Sequence, residues 1–313
     1  LAYFGGTPAF DAPLHVGSPS LGDRARLLER INTILDDRWF TNNGPLVQEL
    51  EARVSKMLGV AHCIATCNAT AALEICARAA GLTGEVIMPS FTFVATPHSI
   101  AWQGMTPVFC DVGPDDHLID PAAIEALITP QTTGILAVHL WGDPCNVEAL
   151  TAIADRHNLT LLFDASHAFG CTYRGVPVGN FGAAEVFSLH ATKFVNAFEG
   201  GLITTNDDEF AAKARLMRNF GLAGDGSVVS IGINAKMSEV SAAMALTSLE
   251  AMHDVAELNR ERYQLYRELL SPLPGLTIHE PRPDETNNYQ YVVVEVDEAK
   301  AGLSRDCLMK MLH

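Results

Sequence analysis

The amino-acid sequence predicts an α/β fold in which helices cover both faces of a mostly parallel sheet. Two observations carry that prediction. Short apolar runs recur along the chain: HCIAT (62–66), EVIM (85–88), PVFCD (107–111), GILAVHL (134–140), TLLFD (160–164), AEVFS (184–188) and GLITT (201–205). They are too short for helices and lack alternation, the pattern of strands buried on both faces. Helical stretches at 69–81, 94–104, 121–128, 146–157 and 208–219 lie between or just after them, and such alternation layers helices on a shared sheet.

The remaining elements flank this core. Ahead of it, 20–37 and 44–58 read as two amphipathic helices joined by WFTNNGP (39–45), with Asn-Asn-Gly as the turn signal. After it, apolar positions at Met237, Val240, Met244, Leu249, Met252, Leu265 and Leu269 fit one long helix over 235–270. SPLPG (271–275) breaks that helix, YQYVVVEV (289–296) has the β propensity of a strand, and LSRDCLMKMLH reads as a closing helix. We expect a large domain over 1–250 and the start of a small C-terminal domain over 251–313.

Composition narrows the function. Hydrophobic residues make up 48% and charged residues 19%, as in ordinary globular proteins. A net charge of −16 speaks against nucleic acid or an anionic membrane as partner, since both need clustered Lys and Arg. It leaves room for a phosphorylated ligand, because a helix N-terminus holds one phosphate without net positive charge. The seven cysteines are odd in number and scattered through apolar segments, which predicts reduced thiols in a cytoplasmic protein. Cys63 and Cys67 lack a second pair at ligand spacing, so no metal site is expected. Neither a basic, then apolar leader nor a long apolar run opens or interrupts the sequence.

Four features fall at strand ends, where open α/β sheets gather ligands. CNATAALE (67–74) follows a strand with capping residues and then helix formers, so free N–H groups of the first turn suit a phosphate, although most such turns bind nothing. In LLFDASHA (161–168), Asp164 ends an apolar strand, either as an N-cap or as a carboxylate that keeps a heteroaromatic nitrogen protonated. His167 could reach the same ligand or be a structural histidine. In PSFTFVAT (89–96), Phe91 and Phe93 point the same way if the run is extended, and one of them could stack on a flat ring or simply pack in the core. FSLHATKFVNAFEGG (187–201) places Ser188 at a strand end and Lys193 among apolar neighbours, where the amine either snorkels to water or carries a lowered pKa and acts as a nucleophile.

Phosphate cradle, stacking ring, aspartate and lysine together meet the needs of pyridoxal 5′-phosphate (PLP): a lysine to bond its aldehyde and a carboxylate to hold its ring proton. Their order along the chain matches the aspartate-aminotransferase-like fold. No G-x-G-x-x-G follows a strand, so a dinucleotide site is not supported. The segments FGGTPAF (4–10), NNGPLVQELE (42–51), CNATAALE, MPSFTFVATPH (88–98), HLWGDPC (139–145), FDASHAFG (163–170), FSLHATK with EGG (199–201), and NAKMSEVSAAM (234–244) resemble the DegT/StrS family of nucleotide-sugar aminotransferases. CNAT, GEVIMPS, HLWG and HATKFVNAFEGG look most similar to the branch that aminates C-4 of dTDP-4-keto-6-deoxyglucose on the way to antibiotic sugars such as desosamine.

The resemblance implies roles. Lys193 would carry the Schiff base, Asp164 would pair with the pyridine nitrogen, Phe93 would stack on the ring, and His167 would lie near the ring hydroxyl. The N–H groups of Ala69 and Thr70, with the Ser188 hydroxyl, would hold the phosphate. Asn234 would reach the phosphate of a neighbouring subunit, making a homodimer with shared active sites. L-Glutamate would supply the amine and a dTDP-sugar ketone would receive it. Lys193 stands where a dehydratase branch has histidine, which argues against dehydration. Amination at C-3, amination of a cyclitol or aromatic precursor, and a non-catalytic PLP-binding regulator are the rivals. The chain departs from the family in having Asn68-Ala69-Thr70 rather than Ser-Gly-Thr, and Phe194 rather than Asn after the lysine. The family also continues beyond the length seen here, so the resemblance implies that further strand and helix complete the small domain and help bind substrate.

Overall fold

A computed structural model of the chain describes residues 5–12, 14 and 17–312. Phe4 of the first family motif and His313 lie outside the described residues.

Helices α1 (Arg24–Asp37) and α2 (Pro45–Leu58) come first. The Asp23 carboxylate accepts from the Ala25 and Arg26 N–H groups to start α1, and Pro45 opens α2 where no N–H is needed. The alternation follows as β1 (His62–Thr66), α3 (Ala69–Ala79), β2 (Glu85–Pro89), α4 (Ala95–Ala101), β3 (Thr106–Cys110), α5 (Pro121–Ile124), β4 (Thr132–Val138), α6 (Val147–His157) and β5 (Thr160–Asp164). A hairpin of β6 (Thr172–Tyr173) and β7 (Val176–Pro177) precedes β8 (Ala184–Ser188) and β9 (Gly201–Thr205). Then come α7 (Asp208–Arg218), α8 (Glu239–Glu250), α9 (Met252–Leu270), β10 (Leu276–Ile278), β11 (Val294–Val296), α10 (Glu298–Ala301) and α11 (Arg305–Leu312).

Seven strands form one sheet in the order β1-β9-β8-β5-β4-β2-β3. The run from β3 to β8 is parallel, while β9 is antiparallel to both β8 and β1. Two antiparallel steps restore the direction, so β1 points the same way as β8. The C-terminal ends of β1, β2, β5 and β8 therefore share one edge of the sheet. Apolar residues alternate between its two faces. Val86, Met88, Leu136, Leu162 and Val186 pack against α3 and α7, whereas Ile135, Leu161 and Phe163 pack against α6 on the other side, with Phe187 against α2 and α8. Except at the edge strand β3, where Phe109 is exposed, both faces are dry, which is why the strands read as unbroken apolar runs.

Three expectations change in detail. The long helix over 235–270 is two helices that start at Glu239. Residues before it are drawn into extended pairing, with the Cys67 N–H bonded to the Ala235 carbonyl and Lys236 bridged to Thr66, and Ser238 then caps α8. The break at Ala251 falls where buried α8 gives way to α9, in which Tyr263 alone is buried. The strand over 289–296 shrinks to Val294–Val296: Tyr289 is left-handed (φ 49°), and Asn287, Asn288, Gln290 and Tyr291 spend their side chains on the site loops. The helix expected over 121–128 is one turn followed by a 3₁₀ turn at Glu125–Leu127. The hairpin β6–β7 and the short elements β10 and α10 carry too few residues to register as periodic patterns.

Candidate active site

The shared strand edge holds a pocket of about 420 Å³. Ala69, Thr70, Phe93, Asp164, His167, Ser188 and Lys193 all line it. The eighth expected residue, Asn234, is exposed and lies outside this pocket, paired through its backbone with Asn219.

The floor begins at the turn after β1. Asn68 caps α3 by accepting from the Ala71 N–H at 2.8 Å. This leaves the Ala69 and Thr70 N–H groups, the first orphans of the helix, without a partner among the described residues. Gly201 makes the turn possible: a Cβ there would stand 2.6 Å from the Asn68 carbonyl and 2.7 Å from the Ala69 nitrogen. The Gly-Gly pair thus lets β9 begin directly beneath the turn.

Asp164 is buried at the end of β5. Its Oδ2 accepts from the Thr96 hydroxyl at 2.8 Å and its Oδ1 from the Ser166 N–H at 3.1 Å. No cation lies within 4 Å among the described residues, so two neutral donors alone satisfy the carboxylate. Thr96 comes from PSFTFVAT, where attention falls on the aromatics and the buried threonine passes unnoticed. The two phenylalanines of that stretch part company. Phe93 stands at the pocket mouth, 69% exposed, while Phe91 rests against His117 and Trp141.

Lys193 sits in the loop after β8, with its N–H bonded to the His190 carbonyl at 2.8 Å. Phe194 and Val195 turn into the core, which leaves the lysine on the pocket side. Phe194 does not line the pocket. Burial lowers the Lys193 pKa from 10.5 to about 8, partly opposed by the Asp164 charge. The amine reaches the Tyr291 hydroxyl at 3.0 Å. Tyr291 is another residue that sequence reasoning missed, because its segment looked like ordinary strand.

His167 lies under the same tyrosine, with ring centroids 4.5 Å apart. Burial, reinforced by the Lys193 charge, lowers its pKa from 6.5 to about 3, so it is neutral at physiological pH. Its Nδ1 accepts the Trp141 N–H at 3.3 Å, which places the proton on Nε2. Trp141 owes that position to a left-handed turn in HLWGD (φ 56°).

The arrangement offers an amine of lowered pKa, a buried carboxylate, a neutral imidazole and open helix N–H groups around one cavity. Residues 22–313 match the model of the DegT/DnrJ/EryC1/StrS aminotransferase family. The chain belongs to that family. It is 38% identical over 304 residues to a dTDP-4-amino-4,6-dideoxy-D-glucose transaminase of Escherichia coli, covering 96% of this chain and 81% of the relative. Its fold overlays the crystal structure of DesI in the presence of its TDP-sugar product with a TM-score of 0.96, at 53% identity, covering 100% of this chain and 80% of DesI. S. venezuelae DesV, solved in complex with a ketimine intermediate, overlays at 0.85 with 30% identity, over 91% of this chain and 76% of DesV. This aminotransferase therefore has the fold type I architecture of PLP-dependent transaminases. No helix of it is long and apolar enough to cross a membrane, and no cluster of metal-binding side chains occurs among the described residues.

Proposed function

We propose that this aminotransferase transfers an amino group from L-glutamate to the C-4 keto group of a dTDP-4-keto-6-deoxyhexose, with PLP as cofactor. The observation that carries the reading is the half-buried Lys193 amine sharing one pocket with the Asp164 carboxylate and the open N–H groups of α3. The transaminase relatives, whose names specify the 4-amino sugar, support the substrate.

The residues fit the cofactor. The donor set at Ala69, Thr70 and Ser188 suits a phosphate at a helix N-terminus. PLP, when bound, supplies an aldehyde for the lysine and a ring that withdraws electrons from a carbon bearing the transferred amine. Asp164, fixed by Thr96 and Ser166, would hold the ring nitrogen and keep its proton in place. His167, neutral, would donate from Nε2 to the ring hydroxyl. Phe93, at the pocket mouth, would cover one face of the ring. Lys193 takes and returns the proton at its Nζ. With a pKa of about 8 it is unprotonated in about a tenth of molecules near pH 7, against well under a thousandth at its ordinary value.

We read the enzyme as a cytoplasmic homodimer in which Asn234 of each copy reaches the phosphate site of the other. Its exposure outside its own pocket supports this, as do the exposed Val228, Val229 and Ile231 in the loop before it. We take residues 251–313 as the start of a small domain, since among the described residues β10 and β11 pair only with each other.

The test is direct. Incubation with L-glutamate and dTDP-4-keto-6-deoxyglucose should yield the 4-amino sugar by mass and NMR, and a C-3 amine or no product overturns the assignment. Borohydride should fix the cofactor to Lys193, and a tag mapped to another lysine removes the site. Mixing Lys193→Ala with Asn234→Ala chains should create one hybrid site that binds PLP more tightly than the Asn234→Ala homodimer, by the roughly 1.5–3 kcal/mol of a hydrogen bond to a charged group. Equal affinity means that Asn234 does not act across subunits.

A further inference from the structure

Residues 287–291, NNYQY, form a strap in which the side chains of Asn287, Asn288, Gln290 and Tyr291 all bond to the site loops. The Asn287 amide donates to Asp143 at 3.2 Å, in space open only because residue 142 is glycine: a Cβ there would stand 2.8 Å from that amide nitrogen. The Asn288 amide donates to the His167 carbonyl at 2.8 Å and to the Phe169 carbonyl at 3.1 Å. The Gln290 side-chain oxygen Oε1 accepts from the Phe194 N–H at 3.1 Å, directly beside the lysine. These anchors deliver the Tyr291 hydroxyl to the Lys193 amine at 3.0 Å and lay its ring against His167.

We infer that Tyr291 is a positioning residue that holds the Lys193 amine whenever the lysine is not covalently engaged. The inference rests on the reading of Lys193 as the reacting lysine. A phenol is suited to the task because it both accepts and donates. It accepts from the ammonium and donates to the neutral amine, so one contact survives the change of protonation. A carboxylate in its place would lock the lysine as a cation, and an apolar side chain would let the amine move. Burial pushes the Tyr291 pKa up to about 12, so the hydroxyl keeps its proton across the working range. The other ionisable groups facing the pocket are Asp164 on β5, His167 beyond it, His190 on the loop of the lysine, and Glu199 before β9. Asp164 alone among them raises the lysine pKa, and it is not within 4 Å of the amine, as its own contacts are to Thr96 and Ser166.

Tyr291→Phe removes the hydroxyl and keeps the ring on His167. Competitive acetylation of the full chain freed of cofactor, read by mass spectrometry across pH, reports the ionisation of Lys193 without any turnover. The labelling midpoint should fall by about one pH unit, because a bond to the charged form is the stronger one. In the loaded enzyme kcat should fall about tenfold with the sugar KM and the melting temperature unchanged. 3-Fluorotyrosine at 291 keeps shape and hydroxyl, so it should restore most of kcat. An unchanged midpoint with unchanged kcat overturns the inference while borohydride still tags Lys193. A tag on another lysine removes both readings, and loss of kcat with a shared fall in melting temperature, unrescued by fluorotyrosine, marks Tyr291 as merely structural.

Discussion

Two buried charge clusters lie on the sheet edge region of this aminotransferase and are built in opposite ways. Around Glu51, every charged group has an oppositely charged partner, one carboxylate serving two arginines. Its Oε1 accepts from Arg218 at 2.6 Å and from the Ala65 N–H at 2.9 Å, and its Oε2 accepts from Arg215 at 2.8 Å. The arginines spend their other donors on the carbonyls of Cys63 and Ala65 and on Asn43. This cluster ties α2 and α7 to β1. Around Lys193, by contrast, cation and carboxylate share a pocket without bonding each other, and each is held by neutral groups. A matched pair is chemically inert, because its groups cannot change charge without breaking the match. An unmatched lysine of lowered pKa and an Asp164 free of a cationic partner remain able to act. Partial mismatch is thus the structural mark of the working site.

Three experiments press on this contrast. The largest effect should come from breaking the matched cluster: Glu51→Ala leaves Arg218 buried without its partner and should cost about 3–5 kcal/mol in urea unfolding. A loss under about 1 kcal/mol would mean that water enters and the cluster is not closed. Next, Asp164→Asn keeps the size and loses the charge of a residue whose neutral partners can still bond the amide. Turnover should drop at least about a hundredfold, while stability of the cofactor-free protein moves by less than about 1 kcal/mol. Turnover near that of the unaltered enzyme would reduce Asp164 to closing the turn at Ser166.

The smallest effect sharpens the comparison by reversing its sign. Lys193 has a folded-state pKa depressed to about 8 from 10.5. Its charge therefore weighs against folding below about pH 8, and the penalty fades as pH rises toward 10.5, where the unfolded chain also releases the proton. Lys193→Met should abolish turnover yet stabilise the cofactor-free protein at pH 7 by about 1–2 kcal/mol, allowing for partial exposure. The gain should shrink by pH 10.5. A variant less stable at pH 7 would show that the Tyr291 contact outweighs the burial of charge.

What the sequence by itself determined is the repeating part of the fold and the chemistry at its strand ends. Strands β1, β2, β5, β8 and β9 fall on the apolar runs from which they were read, because a strand dry on both faces has no choice of side chain. Asp164, Ser188 and Lys193 stand out for the same reason: polar groups at the end of apolar runs need a purpose. The tertiary structure alone decided which distant groups meet. Thr96 reaches Asp164 across 68 positions of sequence and Tyr291 reaches Lys193 across 98, and neither residue type is unusual in its own segment. Strand order, the reversal of β9, and the conversion of an apparent strand at 289–293 into a strap follow from long-range pairing. Local propensity carries no record of such pairing, since YQYVV satisfies a sheet and a strap equally well until Asn287, Asn288 and Gln290 find their partners.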